Sequence, residues 1–249
     1  KLVDWMHQSH IVNPVLVDCT SSESLAERYA FFLRNGFHVV TPNKKANTIS
    51  MDYYHELRKV AKHKHRKFLY ETNVGAGLPL IDTIKLLHDS GENITKIRGV
   101  FSGSLSYIFN RFSADEVPFS TVLQEAIDKG FTEPDPREDL CGNDVARKLL
   151  ILARELDLEN EFEDITIENL IPEAYRDITA DEFLSDLTKL NPFFQEAKEK
   201  QEEGHVLRYI GDLHGDLQQT KGQLDVKLVS VPQNSPLGSL KGSDAIFEI

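Results

Sequence analysis

Two charged side chains four residues apart, Asp144 and Lys148, are of types that could do chemistry together. On a helix this spacing places both on one face, so that the carboxylate and the ammonium can meet. A lysine held in this way is a possible proton donor to a reacting oxygen. The alternative is an ordinary surface ion pair, which contributes only about 0.3–0.5 kcal/mol to stability.

The acidic loop just upstream of this pair, residues 131–139, carries four carboxylates and two prolines. Pro134 and Pro136 fix their own φ angles and restrict the residue before each of them. Rigid carboxylates such as Glu133 and Asp139 could therefore form a pocket for a cationic amine beside a proton donor. Such a pocket suits an amino-acid substrate with a reactive carbonyl group. The alternative is a stiff acidic loop that only caps the following helix.

The segment that must position this pair is predicted to be a helix over residues 144–156. Its apolar residues recur at helical spacing and gather on one side. That apolar side consists of Val145, Leu149, Leu152 and Leu156. Asp144 and Lys148 lie on a different face of the same helix.

The first eighty residues alternate between strand-like and helix-like patterns. Buried-strand patterns occur at residues 15–19, 38–40 and 68–70, and helical patterns occur at residues 23–35 and 51–63. This repetition with short turns predicts a parallel sheet of the Rossmann type. The ligands of such sheets bind at the carboxyl ends of the strands.

Four polar residues, Thr20, Asn43, Lys44 and Glu71, follow the predicted strands and are expected at that edge. A strand followed by a Gly-x-Gly-x-x-Gly turn would complete a dinucleotide fold, and neither occurs before Val15. We therefore expect the sequence to begin inside a nucleotide-binding domain. We also expect these residues alone to bind a nicotinamide cofactor weakly.

The rest of the chain predicts a second domain that mixes helices with an antiparallel element. Residues 96–109 are typical of a strand, a turn and the start of a helix, and residues 119–129 of a helix. Residues 160–204 are acidic and largely helical in pattern. Residues 206–213 and 223–231 alternate like the two strands of a hairpin.

The composition excludes several classes of function. The chain has 40 acidic and 28 basic residues and a formal net charge of −12, which disfavours binding to nucleic acid or to an anionic membrane. No apolar run is long enough to cross a bilayer. Cys19 and Cys141, the only cysteines, have no metal-ligand spacing and suit a reducing cytoplasm.

The stretch from residue 126 to residue 148, AIDKGFTEPDPREDLCGNDVARK, resembles the homoserine dehydrogenase signature along its whole length. Four further blocks agree, and they are VDCTSS (17–22), GFHVVTPNKKANT (36–48), ETNVGAGLP (71–79) and SGSLSYIF (102–109). The sequences of these blocks are most similar to the dehydrogenase half of bifunctional aspartokinase–homoserine dehydrogenases.

The resemblance implies an α/β fold, with a partial Rossmann-type parallel sheet over residues 1–78 and an α+β catalytic and dimerisation domain over residues 79–249. It implies an NAD(P)-dependent enzyme that reduces L-aspartate 4-semialdehyde to L-homoserine in threonine and methionine biosynthesis. Such an enzyme would be cytoplasmic and homo-oligomeric, with small molecules as its substrates.

The resemblance also implies the role of each residue in the catalytic site. Lys148 would be the general acid that protonates the aldehyde oxygen, and Asp144 would bind substrate and position that lysine. Glu133 and Asp139 would hold the ammonium and hydroxyl ends of the substrate.

Cofactor and cation sites follow from the same resemblance. Thr20, Ser21 and Lys44 would contact NADP or NAD, and Gly130 would let the backbone approach the nicotinamide closely. A monovalent cation, usually sodium in the family, would be bound by Glu71 and by the carbonyl groups of Val74, Ala76 and Leu78.

Two other readings stay open at this stage. The chain could be a non-catalytic oligomerisation or regulatory fragment of such an enzyme. It could also be another Rossmann-type dehydrogenase that acts on a hydroxy acid, although no His–Asp or Arg pair in a matching motif supports this. The preference between NAD and NADP cannot be read from these residues.

Overall fold

The computed structural model describes residues 2–249, which form two compact units. The first unit extends to Glu92 and includes Leu150–Phe162, and the second consists of Asn93–Leu149 and Glu163–Ile249. The sequence placed the domain boundary after residue 78. Packing instead assigns residues 79–92 and 150–162 to the first unit, because buried polar contacts described below attach them there.

The first unit contains a parallel three-stranded sheet with helices, as its strand–helix–strand pattern predicted. Its strands have the order β1-β2-β3 and pair in parallel, with Val15 opposite His38 and Val39 opposite Phe68. The elements are α1 (Leu2–Gln8), β1 (Val15–Val17), α2 (Glu23–Ala26), α3 (Tyr29–Arg34), β2 (His38–Val40), α4 (Met51–His63), β3 (Phe68–Leu69) and α5 (Leu80–Asp89).

The single helix predicted over residues 23–35 is wrong, because the segment forms two short helices, α2 and α3. The hydroxyl group of Tyr53 donates to the Ala26 carbonyl (2.7 Å) and accepts from the Ala30 amide (3.4 Å). These two backbone groups would bond to each other in a continuous helix. A side chain inserted into the hydrogen-bond ladder interrupts the helix at this point.

Strand β1 was predicted to be buried, and this expectation is also wrong. Val15 and Val17 are 54% and 63% exposed, because β1 is the edge strand of the described sheet and that face is uncovered. The short apolar run at residues 15–17 predicted the strand correctly, but it could not show what covers the strand.

A buried ionic cluster attaches the segment 150–162 to the first unit. The Glu155 side chain is only 2% exposed, and its carboxylate accepts a hydrogen bond from the hydroxyl of Tyr70 (2.8 Å). Lys85 and Arg58 place their cationic nitrogens 3.2 and 3.5 Å from the same carboxylate. Two cations and a hydroxyl therefore compensate one buried negative charge.

Arg154 makes a second buried attachment in the first unit. Its fully buried guanidinium donates to the Glu161 carboxylate (2.6 Å) and to the carbonyl oxygens of Asn47 (2.7 Å) and Asn160 (3.1 Å). The geometry matches the several donors that a planar guanidinium presents.

The second unit contains a five-stranded mixed sheet of order β5-β7-β6-β4-β8. All neighbours are antiparallel except β5 and β7. Its elements are β4 (Ile97–Val100), α6 (Gly103–Ala114), α7 (Phe119–Asp128), α8 (Arg137–Leu140), α9 (Asn143–Arg154, counted with the first unit from Leu150 onward), β5 (Thr166–Ile167), α10 (Ala180–Ser185), α11 (Asn191–Glu199), β6 (His205–His214), β7 (Gln223–Pro232) and β8 (Ile246–Glu248).

The predicted hairpin is confirmed as β6 and β7, whereas strands β5 and β8 were not predicted. Each of these two strands is only two or three residues long, too short for a periodic pattern. Among residues 2–249, no helix combines the length and the apolar composition needed to cross a bilayer.

We expect Glu155→Gln to lower the free energy of unfolding by roughly 2–3 kcal/mol, because it leaves Arg58 and Lys85 without their counter-charge. This loss is smaller than the roughly 3–5 kcal/mol that breaking a fully buried pair costs, because both cations reach solvent. Urea unfolding of the chain measures this. The control is Glu196→Gln, which removes an exposed ion pair with Lys200 and should change nothing measurable. Equal effects of the two substitutions would contradict the role given to the cluster.

Candidate active site

Helix α9 brings Asp144 and Lys148 together, as their spacing predicted. The Lys148 ammonium forms an ion pair with the Asp144 carboxylate (2.7 Å) and donates a hydrogen bond to the main-chain carbonyl of Phe101 (2.8 Å). The Lys148 side chain is 18% exposed and that of Asp144 is 46% exposed, so the lysine is mostly buried while the carboxylate reaches solvent. An ammonium has three N–H groups, and these two contacts leave one N–H for a ligand.

A tight turn at Gly142 aims the start of α9. Gly142 has φ +79°, and a Cβ atom there would lie 2.1 Å from the hydroxyl oxygen of Tyr209. That hydroxyl donates to the carbonyl of Glu168 (2.7 Å) and so cannot move aside freely. Glycine is therefore required by both conformation and space.

The acidic loop is attached to the segment that holds Lys148. One oxygen of the Asp139 carboxylate accepts from the Ser104 hydroxyl (2.6 Å), and the other accepts from the Glu133 amide (2.9 Å). Ser104 lies three residues after Phe101, at the start of α6. A single short segment, residues 101–104, thus binds both the lysine and the acidic loop.

The neighbouring carboxylate, Asp135, stiffens the loop. Arg137 donates to it from its side chain (2.6 Å) and from its main-chain amide (3.0 Å), and this guanidinium holds the pKa of Asp135 below its usual value. Arg137 also donates to the carbonyl of Ile178 (2.6 Å). The prolines were therefore only part of what fixes the loop.

Glu133 contributes an uncommitted carboxylate. Its side chain is exposed, and within residues 2–249 its carboxylate has no hydrogen bond or ion pair. Because its main-chain amide is held by Asp139, its backbone is fixed while its charge stays available. This suits a residue that binds a cationic ligand.

Gly130 ends helix α7 with φ +67°. The Gly130 and Phe131 amides donate to the carbonyls of Ile127 and Ala126 (both 2.9 Å), which is the Schellman pattern of a helix C-terminus. No atom lies within 4 Å of where a Cβ would be, so the surface beside Gly130 is open.

Three of the predicted cofactor residues, Thr20, Ser21 and Lys44, lie in the first unit, after the carboxyl ends of β1 and β2. Thr20 donates from its amide (2.8 Å) and its hydroxyl (2.7 Å) to the Asp18 carboxylate. Ser21 is exposed beside it. Lys44 is half-buried and begins a 3₁₀ turn, where its carbonyl accepts from Asn47 (3.1 Å).

Asp18, which the sequence analysis did not select, organises this edge. It is 1% exposed, and its carboxylate also accepts from the Tyr29 hydroxyl and from the Asn43 amide group (3.1 Å). Burial raises the pKa of Asp18, but the hydrogen bonds from Tyr29, Thr20 and Asn43 outweigh it and lower the pKa. Its place directly after β1 was the signal that could have identified it.

The predicted cation loop also lies in the first unit. Glu71 accepts from the amides of Ile81 (2.9 Å) and Asp82 (3.1 Å) and so caps α5. Burial and the charge of Asp82 raise the pKa of Glu71. Between Glu71 and α5, Gly75 and Ala76 both have positive φ (+81° and +51°), so the loop is tight.

The oxygen atoms of this loop are of the type that binds a hard cation. A Glu71 carboxylate oxygen that accepts one hydrogen bond has a second lone pair for a cation. The carbonyl groups of Val74, Ala76 and Leu78 add neutral oxygens, and hard cations prefer oxygen ligands of both kinds. The Leu78 carbonyl already accepts from Leu80 (2.8 Å). Among the described residues, no group of three His, Cys, Asp or Glu side chains could hold a metal ion.

Two family models match the chain in succession. Residues 1–71 match the NAD-binding domain of homoserine dehydrogenase, and residues 79–249 match the homoserine dehydrogenase domain.

Curated relatives match almost the whole chain. The bifunctional aspartokinase/homoserine dehydrogenase of Haemophilus influenzae is 47% identical over 98% of this chain and 29% of the relative. A chloroplastic bifunctional enzyme of Zea mays is 44% identical over 99% of this chain and 27% of the relative. The chain therefore spans less than a third of the length of these proteins.

Solved structures share the fold. A Candida auris protein described as of unknown function has a TM-score of 0.87 at 35% identity, over 99% of this chain and 69% of that one. The putative homoserine dehydrogenase of Archaeoglobus fulgidus has a TM-score of 0.71 at 27% identity, over 94% of this chain and 63% of that one. On the strength of the two family models, the chain belongs to the homoserine dehydrogenase family.

Proposed function

We propose that the chain is the dehydrogenase part of an enzyme that reduces L-aspartate 4-semialdehyde to L-homoserine, with NADP or NAD as the cofactor. The observation that carries the proposal is the Lys148 ammonium, held by Asp144 and by the Phe101 carbonyl with one N–H left over. We place the activity in threonine and methionine biosynthesis in the cytoplasm, as the family resemblance implies.

Lys148 acts as the general acid. The cofactor, when bound, supplies the hydride that reduces the C4 carbonyl of the substrate. The carbonyl oxygen becomes negatively charged, and a nearby ammonium both stabilises that charge and transfers a proton to it. Asp144 and the Phe101 carbonyl keep the ammonium in place, so little reorganisation is needed when the charge develops.

The surrounding carboxylates select an amino-acid substrate. Glu133, Asp139 and Asp144 together carry three negative charges against the one positive charge of Lys148. The excess of negative charge favours an α-ammonium group. Glu133 binds the substrate ammonium group. The Asp139 carboxylate accepts from Ser104 and from the Glu133 amide, and its remaining lone pairs can accept a hydrogen bond from the substrate.

Thr20, Ser21 and Lys44 contact the cofactor from the first unit, and Asp18 positions Thr20. Lys44 supplies a positive charge for the cofactor phosphates or the substrate carboxylate. In the second unit, Gly130 offers an open main-chain surface to the nicotinamide. Glu71 with the carbonyls of Val74, Ala76 and Leu78 holds a monovalent cation, which would offset the Glu71 charge and stabilise the loop.

We further propose that the protein is a homo-oligomer that associates through its mixed sheet. Strand β7 supports this, since its residues from Lys227 to Ser230 are only half-buried although the strand lies inside the sheet. A non-catalytic fragment that keeps this sheet is the alternative function. Loss of NADPH absorbance with aspartate semialdehyde, measured on this chain beside the complete natural protein, separates the two.

Replacing Lys148 with Ala in the complete natural protein should lower kcat by a factor of about 10² or more, the range that general acid catalysis contributes. The matched control is Lys200→Ala, which removes another lysine from an i,i+4 ion pair and should leave kcat unchanged. NADPH oxidation at saturating substrate measures both. A fall of less than threefold for Lys148→Ala would mean that another group donates the proton.

Replacing Glu133 with Gln should raise KM for aspartate semialdehyde about tenfold and change kcat less, because an ammonium partner acts in ground state and transition state alike. Glu138→Gln, in the same loop and also exposed, serves as the control and should leave KM unchanged. If KM is the same in both variants, Glu133 does not bind the substrate ammonium.

A further inference from the structure

A cavity of about 490 Å³ opens in the second unit, between the C-terminal half of α6, strand β6 and the segment 233–242. This volume lies in the range of small-molecule sites. Its charged lining consists of Arg111, Arg208, Lys241 and one acidic residue, Asp115. None of the residues given a role above lines this cavity.

Arg208 is a buried cation without a counter-ion. It is 2% exposed, and no carboxylate among residues 2–249 lies within 4 Å of its guanidinium. The guanidinium instead donates to the carbonyls of Leu207 (2.8 Å), Leu237 (3.0 Å), Gly238 (2.8 Å) and Leu240 (3.3 Å) and to the side-chain oxygen of Asn110 (2.8 Å). Burial lowers the pKa of Arg208 to about 10. Buried charges are usually paired, so this arrangement is unusual.

Lys241 adds a second cation to the same cavity. Its ammonium makes no hydrogen bond or ion pair with any residue that the structure describes. Arg111, by contrast, is neutralised by Asp115 and by Glu125 (3.3 Å). Two uncompensated positive charges therefore line one cavity of a chain whose formal net charge is −12.

The main chain around Lys241 is also suited to an anion. The successive amides of Leu240, Lys241 and Gly242 donate no hydrogen bond within the described part of the chain, and Gly242 has φ +58°. Consecutive unbonded amides beside a left-handed residue form the concave nests that bind anions.

We propose that this cavity binds a small anionic metabolite with about two negative charges, carried either by a phosphate group or by two carboxylate groups. The Arg208 guanidinium supplies the buried charge, and Lys241 and the amides of residues 240–242 complete the site. The proposal stands apart from the dehydrogenase function, because its residues are separate and its readout is binding.

Isothermal titration calorimetry of the chain tests it, with inorganic phosphate and with succinate in separate arms at constant ionic strength. We expect saturable binding of at least one probe. The probe with the lower Kd shows whether a phosphate or a carboxylate ligand is preferred. Lys241→Gln should weaken that binding at least fivefold, because it removes one of the two uncompensated charges.

Two matched variants make the result specific. Lys59→Gln removes an exposed lysine of the first unit and should leave binding unchanged. Lys44→Gln tells this site from the proposed cofactor edge: if it weakens binding of the probes while Lys241→Gln does not, the probes bind at that edge and the proposal is overturned. Arg208→Lys keeps the charge but loses the planar contacts, and it should weaken binding while the thermal unfolding transition stays cooperative.

The proposal is overturned if neither probe binds saturably, or if Lys241→Gln binds as tightly as the unaltered chain. It is also overturned if Lys241→Glu changes the sedimentation coefficient while phosphate and succinate fail to bind. In that case a carboxylate of a second copy, rather than a small ion, fills the cavity.

Discussion

The rest of this account depends on two contacts of the Lys148 ammonium, its ion pair with the Asp144 carboxylate and its hydrogen bond to the Phe101 carbonyl. Together they hold the ammonium in place and leave it an N–H for a ligand. The acidic loop joins the same short segment through Ser104 and Asp139. The proposed proton donor and the carboxylates of the acidic loop are thereby held by one short segment at the start of α6, as the proposed reduction of an amino-acid substrate would require.

The first unit compensates the charges that it buries in two different ways. Glu155 is matched by two cations and a tyrosine hydroxyl, and Asp18 is matched by neutral hydrogen-bond donors that keep its pKa low. Both solutions follow from the cost of an unpaired charge in a weakly polar interior. Arg208 stands apart from them, because only carbonyl and amide oxygens surround it.

Local patterns predicted the parallel strands, the β6–β7 hairpin and the helix bearing Asp144 and Lys148. Each of these is set by residues close together in sequence. The break between α2 and α3 could not be predicted, because it depends on the hydroxyl of Tyr53, some 25 residues away. The same holds for the Phe101 contact of Lys148 and for the clamp from Arg137 to Ile178, which join distant segments. Periodicity shows which face a residue takes, but not which partner it meets there.

The most direct test of the central claim is a crystal structure of the complete natural protein with L-homoserine and oxidised cofactor bound. The account predicts the homoserine hydroxyl oxygen within about 3 Å of the Lys148 Nζ, at hydrogen-bond distance and opposite the Asp144 and Phe101 contacts. A homoserine hydroxyl bonded to another group, with Lys148 still bound only to Asp144 and Phe101, would contradict it.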